Sequence, residues 1–201
     1  MNIRERKKRK EAAVAAARGL QLLAERKHGE AHAFLQEDVQ RFPDDADIRM
    51  HYAHSLLATR PDEAIPEIKK AIETDPDEPV RLTRAAGIVF KLGDVETARS
   101  YAKRAKELAP PNFPFEAYLI NLNSHFAALE GKDESAEEGF RLAIEQEPDG
   151  ETFAADLAQF LADRDRLPEA LEVIEEALPR AGRREVLERL RGQLLGETEP
   201  D

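Results

Sequence analysis

The 201-residue chain has no cysteine and no tryptophan. Without cysteine there is no disulfide framework, no thiol nucleophile and no thiolate-bound metal, and a cytoplasmic setting is the simplest expectation. Its ten glycines are scattered, so no glycine-rich loop follows a strand to cradle phosphate. The four serines stand in no triad-like context. β-Branched residues are few: valine, isoleucine and threonine together number 22 against 31 alanines, which favours helix over sheet. Long apolar runs are also missing. Nothing approaches the roughly 20 residues of a membrane span. The apolar stretch from Ala12 to Ala17 is bounded by Glu11 and Arg18, too short and too charged at its edges for a signal peptide.

The chain nevertheless has material for a core, with 41% hydrophobic residues. Its net charge of −11 is uneven: residues 1–50 carry +2, 51–100 carry −2, 101–150 carry −5 and 151–201 carry −6. An elongated molecule would therefore have a charge gradient along its axis.

Internal repetition organises the sequence. A pattern of alanine, three residues, a hydrophobic residue, two residues, alanine, four residues and proline recurs. It appears as Ala64, Ile68, Ala71, Pro76; as Ala98, Ala102, Ala105, Pro110; and as Ala136, Phe140, Ala143, Pro148. Ala31, Leu35 and Pro43 follow it with Asp38 as the exception, and Ala170, Ile174 and Ala177 follow it without the proline. The leading alanines are 33, 34, 38 and 34 residues apart. A second row of small residues, Gly19, Ala53, Ala86, Ser124 and Ala158, precedes them by 12, 11, 12, 12 and 12 residues. Two antiparallel helices joined by a short turn approach closely only where both present small side chains, and a constant offset sets those points opposite each other.

The turn chemistry agrees. "KLGDVE", "LEGKDE" and "ATRPDE" break each pair, with Gly93 and Gly131 suited to a left-handed C-cap. "FPDDAD", "DPDEP" and "EPDGE" separate consecutive pairs, proline ending one helix and acidic residues suiting the start of the next.

This pattern resembles the tetratricopeptide repeat, a helix-turn-helix unit of about 34 residues. The resemblance implies an all-α, right-handed solenoid of five repeats, at 12–44, 45–77, 78–111, 112–149 and 150–182. Residues 1–11 would form a basic extension of a long first helix spanning about 3–27, 183–195 a capping helix with Leu187, Leu190 and Leu194 on one side, and 196–201 a disordered tail. The third junction, "APPNFPFEA", carries a four-residue insertion, and no repeat has the family's common tryptophan.

No catalytic residue is expected. Ser55 follows His54, but neighbours on a helix point about 100° apart and cannot act as nucleophile and base. Asp47, His51 and His54 share a face at i, i+4 and i+7 and could present three metal ligands. The simpler reading has Asp47 capping a helix and both histidines as polar surface groups, so neither metal nor cofactor is expected. His28 and His32 make a poorer pair still. The run Arg4, Arg6, Lys7, Lys8, Arg9, Lys10 places positive charge at a helix N-terminus, against the macrodipole. It reads as a solvated segment or as a tether to nucleic acid or anionic membrane, although the acidic body argues against extended nucleic-acid binding.

The resemblance further implies that the first helix of each pair lines a concave surface that holds a partner protein or peptide, making the chain a non-catalytic adaptor. Mapped through the small-residue row, that surface should include Asp47, Met50, His51, His54 and Leu57; Thr83, Arg84, Gly87 and Lys91; Tyr118, Asn121 and His125; and Asp156 and Gln159. Some members of the family clamp acidic chaperone tails with lysine and asparagine from three consecutive first helices. Arg84 fits one such place, but Ala16, Leu20 and His51 occupy the others, which argues against that function. The apolar first-repeat face of Ala13, Ala16, Ala17, Leu20 and Leu23 suggests burial against a partner helix or a second copy, making a homodimer.

Overall fold

A computed structural model describes residues 3–57 and 59–197. Residues 198–201 of the expected tail lie outside them, as does Ala58 of "ATRPDE". The described residues form helices and no strands. The helices are α1 (Ile3–Ala24), α2 (His28–Arg41), α3 (Ala46–Leu56), α4 (Pro61–Thr74), α5 (Pro79–Lys91), α6 (Val95–Leu108), α7 (Glu116–Leu129), α8 (Asp133–Gln146), α9 (Glu151–Ala162), α10 (Leu167–Ala177) and α11 (Arg184–Leu195). They belong to two compact units, residues 1–109 and 110–201, divided within the insertion at the third junction.

Local chemistry sets the helix starts. Asp45 Oδ1 accepts from the Ile48 N–H, the Glu78 carboxylate from those of Val80 and Arg81, and Asp94 Oδ1 from that of Thr97. Asp45, not Asp47, is therefore the cap of α3. Prolines stand in the first turn of α4, α5 and α10, where a missing N–H removes no intrahelical bond.

Four of the five hairpins turn in the same way. A backbone N–H bonds the carbonyl five residues back, in Lys27 to Leu22, Asp94 to Val89, Lys132 to Ala127 and Arg166 to Leu161, each at 3.0 Å. The preceding residue is left-handed: Arg26, Gly93, Gly131 and Asp165 have φ of 57°, 85°, 71° and 59°. Gly93 and Gly131 were legible in the sequence. Arg26 and Asp165 adopt the same geometry at a steric cost that glycine avoids. This turn ends α1 at Ala24, three residues short of the expected 27.

Within the first unit α1, α3 and α5 pack against α2, α4 and α6 respectively, and α1 and α5 each also touch α3. Ala12, Ala15, Ala16, Leu22 and Leu23 of α1 form one cluster with Ala31, Leu35, Phe42 and Ile48. Of the first-repeat apolar face, Ala16 and Leu23 are thus in the core, while Ala13, Ala17 and Leu20 are exposed. In the second unit α7 pairs with α8, α9 with α10, and α11 packs on α9. Leu187 of α11 is wholly buried against Leu157, Leu161 and Ile174, with Leu190 and Leu194 beside it. α11 thereby covers apolar side chains of α9 and α10 within this unit.

Both small-residue rows are buried. Ala31, Ala64, Ala98, Ala136 and Ala170 are inaccessible, as are Ala53, Ala86 and Ala158. The closeness shows at the glycines: a Cβ on Gly19 would overlap Leu35 Cδ2, and one on Gly139 would overlap Ser124 Oγ. Gly139 of α8, not noticed in the sequence, is the residue Ser124 meets.

Gly139 and Gly192 make a paired test, both lying inside helices of the second unit. At Gly192 an added Cβ makes only ordinary contact, 3.6 Å from Glu197 Oε2. Gly192→Ala should raise stability by about 0.5–1 kcal/mol through helix propensity. Gly139→Ala should instead lower it by about 1–3 kcal/mol through overpacking against Ser124. Urea denaturation of the two variants against wild type reads both signs.

Candidate functional site

The predicted surface residues fall into two sets, one on α3 and α5 of the first unit and one on α7 and α9 of the second.

In the first set, the centre is Arg81, a residue outside the surface expected from the sequence. Arg81 is 6% exposed, and its Nε and Nη2 donate to Asp47 Oδ1 at 3.3 and 3.1 Å. Its Nη1 donates to the Asp75 carbonyl at 3.0 Å and pairs with the Asp75 carboxylate at 2.9 Å. Burial alone would lower its pKa, but the carboxylates of Asp75 and Asp47 outweigh that and raise it. Asp47 is thereby committed to an inter-helix ion pair.

One turn further along, His51 is 6% exposed, with Arg84 Nη1 3.5 Å from its Nε2. Burial, reinforced by the Arg84 charge, pulls its pKa down to about 4. It is neutral at pH 7. Nδ1 is buried and makes no well-formed hydrogen bond among the described residues, although the Ala16 backbone opposes part of the shift. His54 lies at the exposed rim. Desolvation by surrounding protein atoms lowers its pKa, and His28, Lys91 and Arg84 push the same way. Four cationic or protonatable groups thus converge from α2, α3 and α5, and Lys91 is exposed. Among the described residues no three metal-ligating side chains converge. Met50 is 2% exposed and Gly87 and Thr83 are buried, so these three are packing residues that offer no surface. In α3 the buried stripe includes Met50, leaving Asp47 and His54 outward.

Ser55 does have a histidine partner, from a different helix. His32 of α2 stacks on Tyr52 with centroids 5.5 Å apart, and its Nδ1 is 3.2 Å from Ser55 Oγ, which donates to the Tyr52 carbonyl at 2.7 Å. Arg60 donates to His32 Nε2. Nε2 is therefore an acceptor and the proton sits on Nδ1, so the imidazole donates to the serine and cannot deprotonate it. Burial, then Arg60, lowers the His32 pKa accordingly.

In the second set four predicted residues come together. Asn121 Nδ2 donates to Asp156 Oδ2 at 2.7 Å, and His125 Nε2 lies 3.1 Å from the same oxygen. The His125 ring meets Phe140 edge to face at 4.9 Å. Tyr118 is half-buried beside them; burial, and then the Asp156 charge, raises its pKa, so the phenol keeps its proton. Asn121 is 4% exposed, with Oδ1 buried and unpartnered among the described residues, whereas the His125 and Asp156 side chains are 28% and 29% exposed. Gln159 stands apart, donating to Asp163 Oδ1 at 2.7 Å. Phe140 and Phe160 back the cluster, 5.4 Å apart.

The fold these helices build is that of the tetratricopeptide-repeat proteins. A thermophilic TPR protein of Thermus thermophilus, TTC0263, superposes with a TM-score of 0.74 at 22% identity, over 92% of this chain and 98% of that one. PilF of Pseudomonas aeruginosa gives 0.70 at 16% identity, over 95% and 87%. PilW, a widely conserved type IV pilus biogenesis factor, gives 0.71 at 13% identity, over 94% and 87%. No family model and no curated protein matches the sequence. Among the described residues no helix is long and apolar enough to cross a membrane.

The neutral, buried His51 makes the protein acid-sensitive. Its folded pKa of about 4 lies below the ordinary 6.5, so the unfolded chain binds the extra proton. Its contribution is fully present above pH 6.5 and is lost as pH falls towards 4. Between pH 7 and 5 this one residue should cost about 2 kcal/mol of stability. His51→Gln should flatten that slope in urea titrations followed by circular dichroism, and an unchanged slope would contradict the assignment.

Proposed function

We propose that the protein is a non-catalytic scaffold whose first-helix faces hold a segment of a partner protein. The observation that carries this reading is the cationic face of the first unit, where Lys91 is exposed and clusters with Arg84, His54 and His28. The exposed Lys91 ammonium can pair with an acidic group of a partner. Rigid helix pairs present such groups with little ordering cost on binding. The fold supports the same reading, since one protein sharing it, PilW, is a pilus biogenesis factor. The histidine–serine contact, with its proton on the wrong nitrogen, gives catalysis no support.

Arg84→Glu combined with Lys91→Glu should reduce partner capture from native lysate by about tenfold or more, with helicity unchanged by circular dichroism. Undiminished capture would move the site elsewhere.

A second reading has one observation in its favour. Arg4, Arg6, Lys7, Lys8, Arg9 and Lys10 are all exposed on the first turns of α1. If this segment tethers the chain to an anionic surface, deleting residues 3–10 should abolish retention on vesicles containing phosphatidylserine and its salt dependence. Retention that survives the deletion rejects the tether.

A further inference from the structure

We propose that the Tyr118–Asn121–His125–Asp156 cluster of the second unit is a binding site for a basic peptide segment, with Asp156 receiving a lysine or arginine side chain. The proposal rests on the scaffold reading above and assigns a ligand chemistry to a second face, opposite in sign to the first.

The second unit is strongly acidic. Residues 110–201 contain nine lysines and arginines against 22 aspartates and glutamates, a net −13, whereas residues 1–109 contain 21 against 19, a net +2. A field of that size attracts cations to the whole unit, but a field alone has no address. The cluster supplies one. Asp156 is held by two donors from α7, Asn121 Nδ2 and His125 Nε2, and both use Oδ2. A carboxylate offers about four acceptor positions, and Oδ1 has no hydrogen-bond partner among those described. The side chain is 29% exposed, so Oδ1 is partly desolvated yet within reach of a ligand. An ion pair formed there is screened less than one at the open surface.

The neighbours favour a cation as well. Tyr118 remains a neutral phenol, able to accept or donate. Asn121 is buried and its amide orientation is set by the carboxylate it serves, so it acts as a positioning residue. No lysine or arginine is paired with Asp156 among the described contacts, in contrast to Asp133 and Glu137 of the same unit. Those pair with Arg164 and Arg166.

The test uses the full chain and a fluorescein-labelled nonapeptide of alternating arginine and serine, read by anisotropy. A citrulline counterpart, neutral but nearly isosteric, controls for shape. The arginine peptide should bind, and the citrulline peptide at least about tenfold more weakly. Asp156→Asn should weaken binding about tenfold, and Asn121→Leu should do the same by releasing Asp156. Glu172→Gln, an equal charge change at an exposed site on α10, should alter it less than about twofold. Equal effects of Asp156→Asn and Glu172→Gln would mean that only the diffuse field binds, and would overturn the proposal. Absence of peptide binding, with capture through Arg84 and Lys91 intact, would overturn it while leaving the scaffold reading standing. Thermal melts of each variant separate lost binding from lost folding, and Tyr118→Phe supplies a milder second variant. Self-association of the peptide-free chain, abolished both by Asp156→Asn and by deleting residues 3–10, would make a second copy the source of the basic segment and overturn a foreign partner.

Discussion

Close approach of two helices at a side chain no larger than alanine or serine is the contact on which the rest of the protein depends. At Gly139 against Ser124 there is no room for a single added carbon, and at Gly19 the space is taken by the wholly buried Leu35. Dispersion and apolar burial grow steeply as backbones close in, so these points set the depth at which each pair interlocks. The recurring five-residue turn bond then holds the partner helix in register. Once pair geometry is set, the outer faces of α3, α5, α7 and α9 have little freedom, and their polar groups are aimed by the backbone.

A second layer of order is polar and links one pair to the next. Asp47 meets Arg81, 34 positions on, His51 meets Arg84, 33 on, and Asn121 meets Asp156, 35 on. These separations are about one repeat, so equivalent faces of consecutive first helices touch. The buried Arg81 is the strongest of the links, because its desolvation is offset by two carboxylates and a carbonyl. The two faces differ in chemistry: Arg84 and Lys91 stand on α5 beside α3, and a carboxylate held by Asn121 and His125 sits where α7 meets α9.

Much of the fold was legible in the sequence, since small residues at constant offsets and prolines at helix ends act through local, periodic rules. Gly93 and Gly131 announced two turns; Arg26 and Asp165 concealed two more, because arginine gives no sign of a positive φ and aspartate only a weak one. Of the site, Tyr118, Asn121, His125 and Asp156 were picked out on separate helices, but their convergence on one carboxylate oxygen was not visible. Met50 and Gly87 are buried, which the sequence pattern does not reveal. Arg81 was missed although it lies one repeat after Asp47, a spacing that could have revealed it. Ser55 has His54 as its chain neighbour, but its partner His32 comes from another helix 23 residues away.

The amino-acid order alone determined that the chain is helical, that its helices come in pairs, and which small residues lie between them. Those properties follow from propensity, periodicity and turn chemistry, which operate over a few residues. Tertiary structure alone decided where the chain divides into two units, which polar groups become buried, and which pair across helices. Desolvation and ion pairing depend on distances between residues roughly a repeat apart, and only packing sets those distances.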